Sequence, residues 1–389
     1  MSRDAPVVLH TRVVSGTGGG PEKTIFNSAR WLNASGYRAL CAYMRPPNDP
    51  GFESIRQKAR AAEAPLVEIE DRGPWDWRVI RRLLAICRQE HVTIWHGHDY
   101  KSNLLGLLVR RFWPMRLVTT AHGWVMFEGR APLYYKIDRF CLRWYESVIC
   151  VSEDLREACI RSGGRADRCV VIENAIDTAQ YTRRQSASEA KRQRGFDPAR
   201  LLIGAVGRLS PEKNFDGVIR AFGRLLSRGL DAELILIGEG DERASLERLI
   251  EQLGLKGRVH LPGHQADLIG FYEAMDLFVL NSLREGLPNV LLEALALEVP
   301  VVATRVAGIP RLIEDGRTGL LLEPQDEDAL AAAMNQLARD ADLRRRLAEA
   351  GRRTIEQRYS FAVRMAKVRE VYDRLLGETS LAPSAKDPG

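Results

Sequence analysis

No apolar run in the chain approaches the eighteen or so residues that a membrane span needs; the longest, LLGLLV at residues 104–109, suits one face of a buried helix. No basic segment followed by an apolar one stands at the start, since MSRDAPVVLH reads as a strand entered almost at once, so a cytoplasmic protein is expected. Cysteine is scarce. Its six residues, at 41, 87, 141, 150, 159 and 169, fall in apolar settings without a CxxC pair and read as reduced structural thiols. The seven histidines are scattered without metal-ligand spacing, so no metal centre is expected. The glycine-rich stretch SGTGGGPEKT lacks the Gly that a Walker phosphate loop places directly before Lys-Thr, because Glu22 stands there. Basic residues are interrupted by acidic ones and no recognition motif appears, which argues against nucleic acid as a partner.

The 389 residues, 45% hydrophobic and 28% charged, exceed a typical single core and predict a globular protein of two domains. Short apolar runs alternate with longer amphipathic segments: VVLH, RALCAYM, APLVEI, TIWHGH, RLVTTAH and SVICVS in the first half, then LLIGAV, ELILIG, RVHLPG, LFVL, PVVAT and GLLLE. Strand alternating with helix argues parallel sheets covered on both faces, hence two doubly wound α/β domains. The boundaries expected are residues 1–178 for the first domain, a polar linker at 179–199, and 200–358 for the second. Such sheets bind ligands at the carboxyl ends of their strands, and two facing ones would enclose a cleft. The Ser-, Ala- and Pro-bearing tail, residues 379–389, is expected to be disordered.

Charge is uneven. Through Arg184 there are 28 Lys+Arg against 20 Asp+Glu, leaving 29 against 31 for the remainder, and all seven tryptophans lie in that first half. A basic, Trp-bearing half suggests an anionic membrane surface or an anionic acceptor; core tryptophans and a charge serving solubility are the alternative.

The run SLREGLPNVLLEALALEVPVVAT carries two glutamates eight residues apart, Glu285 and Glu293. Pro288 suits the first residue of a helix, and Leu291, Leu292 and Leu295 give that helix an apolar face. Glu285 then precedes the helix and Glu293 lies inside it. Between them the backbone N–H groups of Leu287, Asn289 and Val290 gather at the positive end of the helix dipole, where an anion binds readily. A nucleoside diphosphate sugar fits this layout, although ordinary solvated helix-end carboxylates would share the spacing. GRLSPEKNFD places Arg208 and Lys213 in a strand-to-helix loop, where a planar fork of donors and a point charge can neutralise a pyrophosphate. Two DxD strings, Asp326/Asp328 and Asp340/Asp342, sit in charged, Ala-rich helical sequence and read as solvated helix faces.

In this order, the glycine-rich first loop, GRLSPEKN, VHLPG and the E-x7-E run resemble the retaining glycosyltransferases of family 4 (glycosyl transferases group 1), over roughly residues 5–375. The resemblance implies the GT-B fold, two facing Rossmann-like domains with an interdomain cleft, the first binding acceptor and the second the donor. It also implies that a C-terminal helix, residues 359–376, returns to brace the first domain. The implied reaction moves a hexose-type sugar from a UDP- or GDP-sugar to a glycan or lipid-linked acceptor, in bacterial cell-envelope or exopolysaccharide biosynthesis. The nucleotide sugar is a co-substrate, and no cofactor or metal is implied because Arg208, Lys213 and the helix N-terminus supply the positive charge.

Carried onto this chain, the catalytic set is His122, Arg208, Lys213 and Glu285. His122, in TTAHGW at a strand end, would touch the donor sugar, and the leaving diphosphate would itself take the acceptor's proton. The donor-binding set is Gly19, Gly20, Asn174, Gly207, Gly238, Leu261, Gly286, Leu287, Pro288, Asn289, Val290 and Glu293, the last on the ribose. The chain departs from the family's pattern in VIENAID, where Glu173 and Ala175 replace the usual Pro and Gly. His96 and His98 also follow a strand and would meet acceptor or serve structure. Two other functions share the architecture. A sugar-nucleotide epimerase would lack the E-x7-E run, and a non-catalytic nucleotide-sugar-binding relative would have lost Glu285, Arg208 or Lys213.

Overall fold

The computed structural model of the chain describes residues 5–74, 76–122 and 131–380. Backbone contacts divide it into two units, Met1–Glu173 with Arg364–Gly389, and Asn174–Val363.

The first unit is a seven-stranded sheet: β1 (Val7–Val13), β2 (Arg38–Arg45), β3 (Leu66–Glu70), β4 (Ile94–Gly97), β5 (Arg116–Ala121), β6 (Ser147–Cys150) and β7 (Cys169–Val171). The order is β3-β2-β1-β4-β5-β6-β7, and every pair is parallel. Central strands read as unbroken apolar runs because helices cover both faces. Trp95, Leu9, Leu117 and Val148 share one buried core with Leu83 and Val109 from the covering helices. All six cysteines are buried and free.

The second unit carries β8 (Leu201–Val206), β9 (Ala232–Ile237), β10 (Val259–Gly263), β11 (Leu277–Leu280), β12 (Val301–Thr304) and β13 (Leu320–Leu322), in the order β10-β9-β8-β11-β12-β13. It too is parallel throughout. Each sheet reverses its strand order once, between β1 and β4 and between β8 and β11. At such a switch point the loops on either side diverge and leave a crevice outside the strand ends.

Several sequence expectations need correction. Residues 179–199 are not a free linker. They hold a helix, Ala187–Arg194, capped by Ser186, and belong to the second unit. Their charge reads as exposure in the sequence, but Arg183 donates to the carbonyls of Leu297 and Glu273, Arg184 N–H to the Glu273 carboxylate, and Lys191 pairs with Asp276 at 2.5 Å. The final helix runs Phe361–Ser380 after a π-turn at Ile355–Tyr359, and from Arg364 onward it belongs to the first unit. There Tyr37 donates to Asp373 and Tyr372 bonds His96. Of the expected disordered tail, residues 381–389 lie outside the described residues. The tryptophans divide: Trp95 is core, Trp77 and Trp144 are exposed, and Trp75 and Trp124 lie outside the described residues.

Candidate active site

In the second unit the two loops flanking the switch point carry Arg208, Lys213 and Glu285. After β8 the chain runs Gly207, Arg208, Leu209 into a short 3-10 turn, Pro211–Lys213. After β11 it runs through Ser282 and Glu285 to a helix, Asn289–Ala296. Lys213 and Glu285 form an ion pair across the switch point, both largely shielded from solvent, and Ser282 Oγ donates to the same carboxylate oxygen at 2.7 Å. Leu283 N–H donates to the Glu212 carbonyl at 2.8 Å, so backbone as well as side chains tie the loops together. Arg208, by contrast, is 74% exposed and pairs with Glu212 at 2.8 Å. A guanidinium held loosely beside a fixed ammonium suits an anion that arrives and leaves.

The helix begins one residue later than its sequence suggests. Pro288, with ψ of 126°, is the N-cap and Asn289 the first helical residue. The loop through Gly286, Leu287 and Pro288 therefore precedes the dipole's positive end, where Asn289 and Val290 occupy the first two helical positions. Glu293 is buried, and its carboxylate accepts from the hydroxyls of Tyr181 and Tyr272, both at 3.2 Å. The sequence puts it on the ribose. The structure gives it two tyrosine donors that fix its direction, one of them from the segment read as linker.

Glycines set the approach of neighbouring loops. Gly238, after β9, has φ of +152°, and a Cβ there would overlap the Gly207 carbonyl oxygen. Leu209 N–H bonds the Glu239 carbonyl at 2.9 Å, zipping the loop after β8 to the loop after β9. Gly238 thus fixes the loop that bears Arg208 and Lys213 from behind. Gly238→Ala is expected to cost roughly 3 kcal/mol or more through backbone strain and overlap. Denaturant unfolding followed by circular dichroism checks this, and an unchanged midpoint would contradict the packing. Leu261 lies in β10, where its carbonyl accepts from Arg243 at 2.9 Å. Asn174 opens the second unit, partly buried.

The DxD strings prove to be helix caps. Asp326 accepts from Ala329 N–H and Asp340 from Leu343 N–H, at the starts of Glu327–Arg339 and Ala341–Thr354, while Asp328 pairs with Arg224 and Asp342 with Arg345.

In the first unit the glycine loop leads into a helix, Gly20–Asn33, with Gly19 as its N-cap. The Gly19 N–H, expected beside the donor, is taken by Glu22 Oε2 at 2.5 Å, and Glu22 Oε1 accepts from Arg12 at 2.6 Å. A carboxylate of the chain thus already occupies that end of the helix dipole, and Gly20 is its first helical residue.

The larger surprise lies beside it. His10 and His96 are register partners on β1 and β4; His98 follows two residues on, and Thr120 and His122 continue the same side of the sheet from β5. Period-two alternation puts all five side chains on one face. His10 Nδ1 lies 3.0 Å from His98 Nε2, and His98 Nδ1 lies 3.1 Å from His122 Nε2. His96 stacks on His98, ring centres 4.4 Å apart, and bonds Tyr372 OH at 2.5 Å and Thr120 Oγ1 at 2.7 Å. Burial, reinforced by the Arg364 guanidinium, lowers His10 to about 3; burial with Arg12 and Arg364 takes the partly exposed His122 to about 3; His96 and His98 fall well below the ordinary imidazole range. All four are neutral at physiological pH. Sequence reasoning missed this column because its hydrogen-bonded members are 88 and 24 residues apart and only strand register joins them. Coordinating nitrogens of His10, His96 and His98 lie within 4.8 Å of one another, a spacing that could hold a metal ion. The charged groups acting on these rings, however, are the guanidiniums of Arg364 and Arg12 rather than a carboxylate, and both His96 nitrogens are spent on hydroxyls. The cluster suits hydrogen-bonded neutral rings better than a cation.

Two parallel Rossmann-like sheets, joined by a chain that returns to the first, give the architecture of the GT-B fold. The profile described as Glycosyl transferases group 1 matches residues 186–354, and that described as Glycosyltransferase Family 4 matches residues 18–180. The chain is 30% identical to a D-inositol 3-phosphate glycosyltransferase of Corynebacterium urealyticum, over 79% of this chain and 77% of that protein. It is 27% identical to the capsular polysaccharide biosynthesis glycosyltransferase CapM of Staphylococcus aureus, over 78% of this chain and 82% of that one. Among solved structures, Anabaena HepE in complex with UDP-glucose superposes with a TM-score of 0.79 at 23% identity, covering 95% of this chain and 99% of the other. The chain belongs to the family 4 glycosyltransferases.

Proposed function

We propose that the protein transfers a hexose-type sugar, with retention of anomeric configuration, from a UDP- or GDP-sugar to a glycan or lipid-linked acceptor in bacterial envelope or exopolysaccharide synthesis. The observation that carries this reading is the Lys213–Glu285 pair at the switch point, with Arg208 exposed beside it. A diphosphate at this loop meets two cations and the start of the Asn289–Ala296 helix, while Glu285 faces the sugar's hydroxyls. Charge that develops on the leaving diphosphate is neutralised by side chains, so this scheme calls on no metal. Relatives in capsule synthesis and a UDP-glucose-bound structural neighbour support the donor and acceptor classes. The test is incubation with UDP- and GDP-sugars and a polyprenyl-linked glycan, following free nucleotide and the anomeric configuration of the product by NMR. Product of inverted configuration, or an isomerised donor without transfer, would overturn it.

The first unit carries a second part of the proposal, contact with an anionic bilayer. Its helices Trp77–Glu90, Tyr100–Arg110 and Ala131–Leu142 pack in succession, and around them Trp77 is 66% exposed, Phe112 63%, Trp144 58% and Phe140 56%. Arg81, Arg82 and Arg111 are exposed among these apolar groups. Arg78 is held by Asp76 through two 2.8 Å bonds, which cancels much of its charge. Leu83 is core, with Ile80 and Leu84 packed against it. Aromatic tips with flanking arginines suit the headgroup layer. Binding to vesicles containing anionic lipid is expected at low salt, weakening at high salt, with about 1 kcal/mol from each well-placed arginine. Phe112→Ser with Trp144→Ser is expected to move the protein to the supernatant in co-sedimentation. Equal binding to neutral vesicles, or none to anionic ones, would remove the bilayer from the scheme.

A further inference from the structure

The three hydrogen-bonded imidazoles of the first unit have a polarity, and the structure determines it. A neutral imidazole carries one N–H, so in a chain of rings each donates one way and accepts the other. The chain His10, His98, His122 therefore runs in one of two directions. Its inner end decides. His10 Nε2 is buried and has no hydrogen-bond partner among the described residues. If the proton sat there it would be an orphaned buried donor with the positive charge of Arg364 acting on the same ring. A lone pair at that atom is instead stabilised by the cation, and an under-satisfied acceptor is the lesser cost. The His10 proton is therefore on Nδ1, where it bonds His98 Nε2. That leaves the His98 proton on Nδ1, which donates to His122 Nε2, and so the His122 proton is on Nδ1 as well.

We propose that His10 and His98 are positioning residues that lock His122 as the Nδ1–H tautomer, so that His122 meets the substrate as a hydrogen-bond donor to an oxygen and not as a proton acceptor. The inference deepens the reading of His122 as a substrate contact and rests on it for its functional half. Its consequence for the chemistry is specific. With Nε2 accepting from His98 and Nδ1 already protonated, His122 has no lone pair with which to act as a base. The acceptor hydroxyl's proton must go elsewhere, which agrees with its delivery to the leaving diphosphate. The same tautomer favours a ligand that offers an oxygen lone pair, such as a sugar hydroxyl or a phosphoryl oxygen. Arg364 and Tyr372 reach the column from the final helix and Thr120 from β5, and none of the three is a carboxylate that would pull a proton inward.

The experiment is long-range proton–nitrogen correlation on the full chain labelled with 15N-histidine, at neutral pH, with assignment by single substitution. Protons on Nδ1 of His10, His98 and His122 are expected; an Nε2 proton on His98 or His122 overturns the ladder. Two substitutions give a second readout. The amide nitrogen of His10→Asn stands where Nδ1 does and still donates, whereas His10→Leu removes the donor. Transfer by His10→Asn is expected to exceed that by His10→Leu at least fivefold, with nucleotide affinity alike in both; equal rates would overturn the positioning role. The ligand role of His122 and the ladder that orients it can fail separately. If the tautomers are as stated but His122→Ala transfers sugar normally, the ligand role of His122 fails and the ladder stands. If the tautomers are reversed, the ladder fails whatever the rates.

Discussion

Acidification from pH 7 to about pH 5 is expected to unfold the first unit. His10, His96 and His98 are buried and neutral, with His10 held down to about 3 and the other two well below the ordinary range by burial. Unfolded imidazoles protonate below about 6.5, so there the unfolded state binds more protons than the native one, and stability falls as pH falls. The loss begins near pH 6.5 and continues toward pH 3. Each group contributes about 1.4 kcal/mol per pH unit below about pH 6.5 and the three together about 4, so the fall to pH 5 removes about 6 kcal/mol, comparable to the stability of a domain at the lower end of the usual 5–15 kcal/mol. Thr120, Tyr372, Arg12 and Arg364 face the column and offer no negative charge to hold an incoming proton. Because all seven tryptophans lie in the first half of the chain, their fluorescence reports that unit alone. A midpoint near pH 5 with uptake of about three protons is the expected result. Native fluorescence down to pH 4 would mean that the column is wetter than its packing indicates.

Lys213→Ala is expected to lower turnover by about 10²-fold or more, since it withdraws a fixed charge from the leaving diphosphate. The same change strands the shielded Glu285 carboxylate with Ser282 as its remaining donor, which costs stability by roughly 3 kcal/mol. The two effects are separable. In Lys213→Met with Glu285→Gln no ion is left unpaired, so melting should recover while turnover stays low. Arg208→Ala removes an exposed side chain and should leave melting unchanged while also reducing turnover. If the double variant regains activity along with stability, the pair serves only to join two loops and the diphosphate binds elsewhere.

The alternation of apolar runs with amphipathic stretches was enough to place nearly every strand, because buried parallel strands are apolar along their length. β7 escaped, since CVV is too short to show a period beside the irregular VIENAID. The segment at 179–199 misled for the opposite reason: Arg183 and Lys191 look solvated in sequence, and only the folded chain reveals the carbonyls and carboxylates that draw them in. The placement of Arg208, Lys213 and Glu285 in loops was legible because each stands within a few residues of a strand end. The partner of the Gly19 amide was not legible, because the carboxylate that claims it returns from three residues on. The histidine column was illegible, since its distances are lateral, across neighbouring strands, and no local window spans them.

The return of the final helix to the first unit also governs the order in which the protein can fold as it is made. Residues 174–363 are contiguous and can fold as soon as they leave the ribosome. The first unit cannot be completed earlier, because Tyr372, which bonds His96, and Arg364, whose charge acts on His10, are translated more than 260 residues after those histidines. The final packing of the first unit therefore completes after the second unit has emerged, rather than N-terminal domain first. Throughout that interval the apolar strands of the first sheet and its aromatic helices are on offer to chaperones, or to the bilayer the finished protein is proposed to touch.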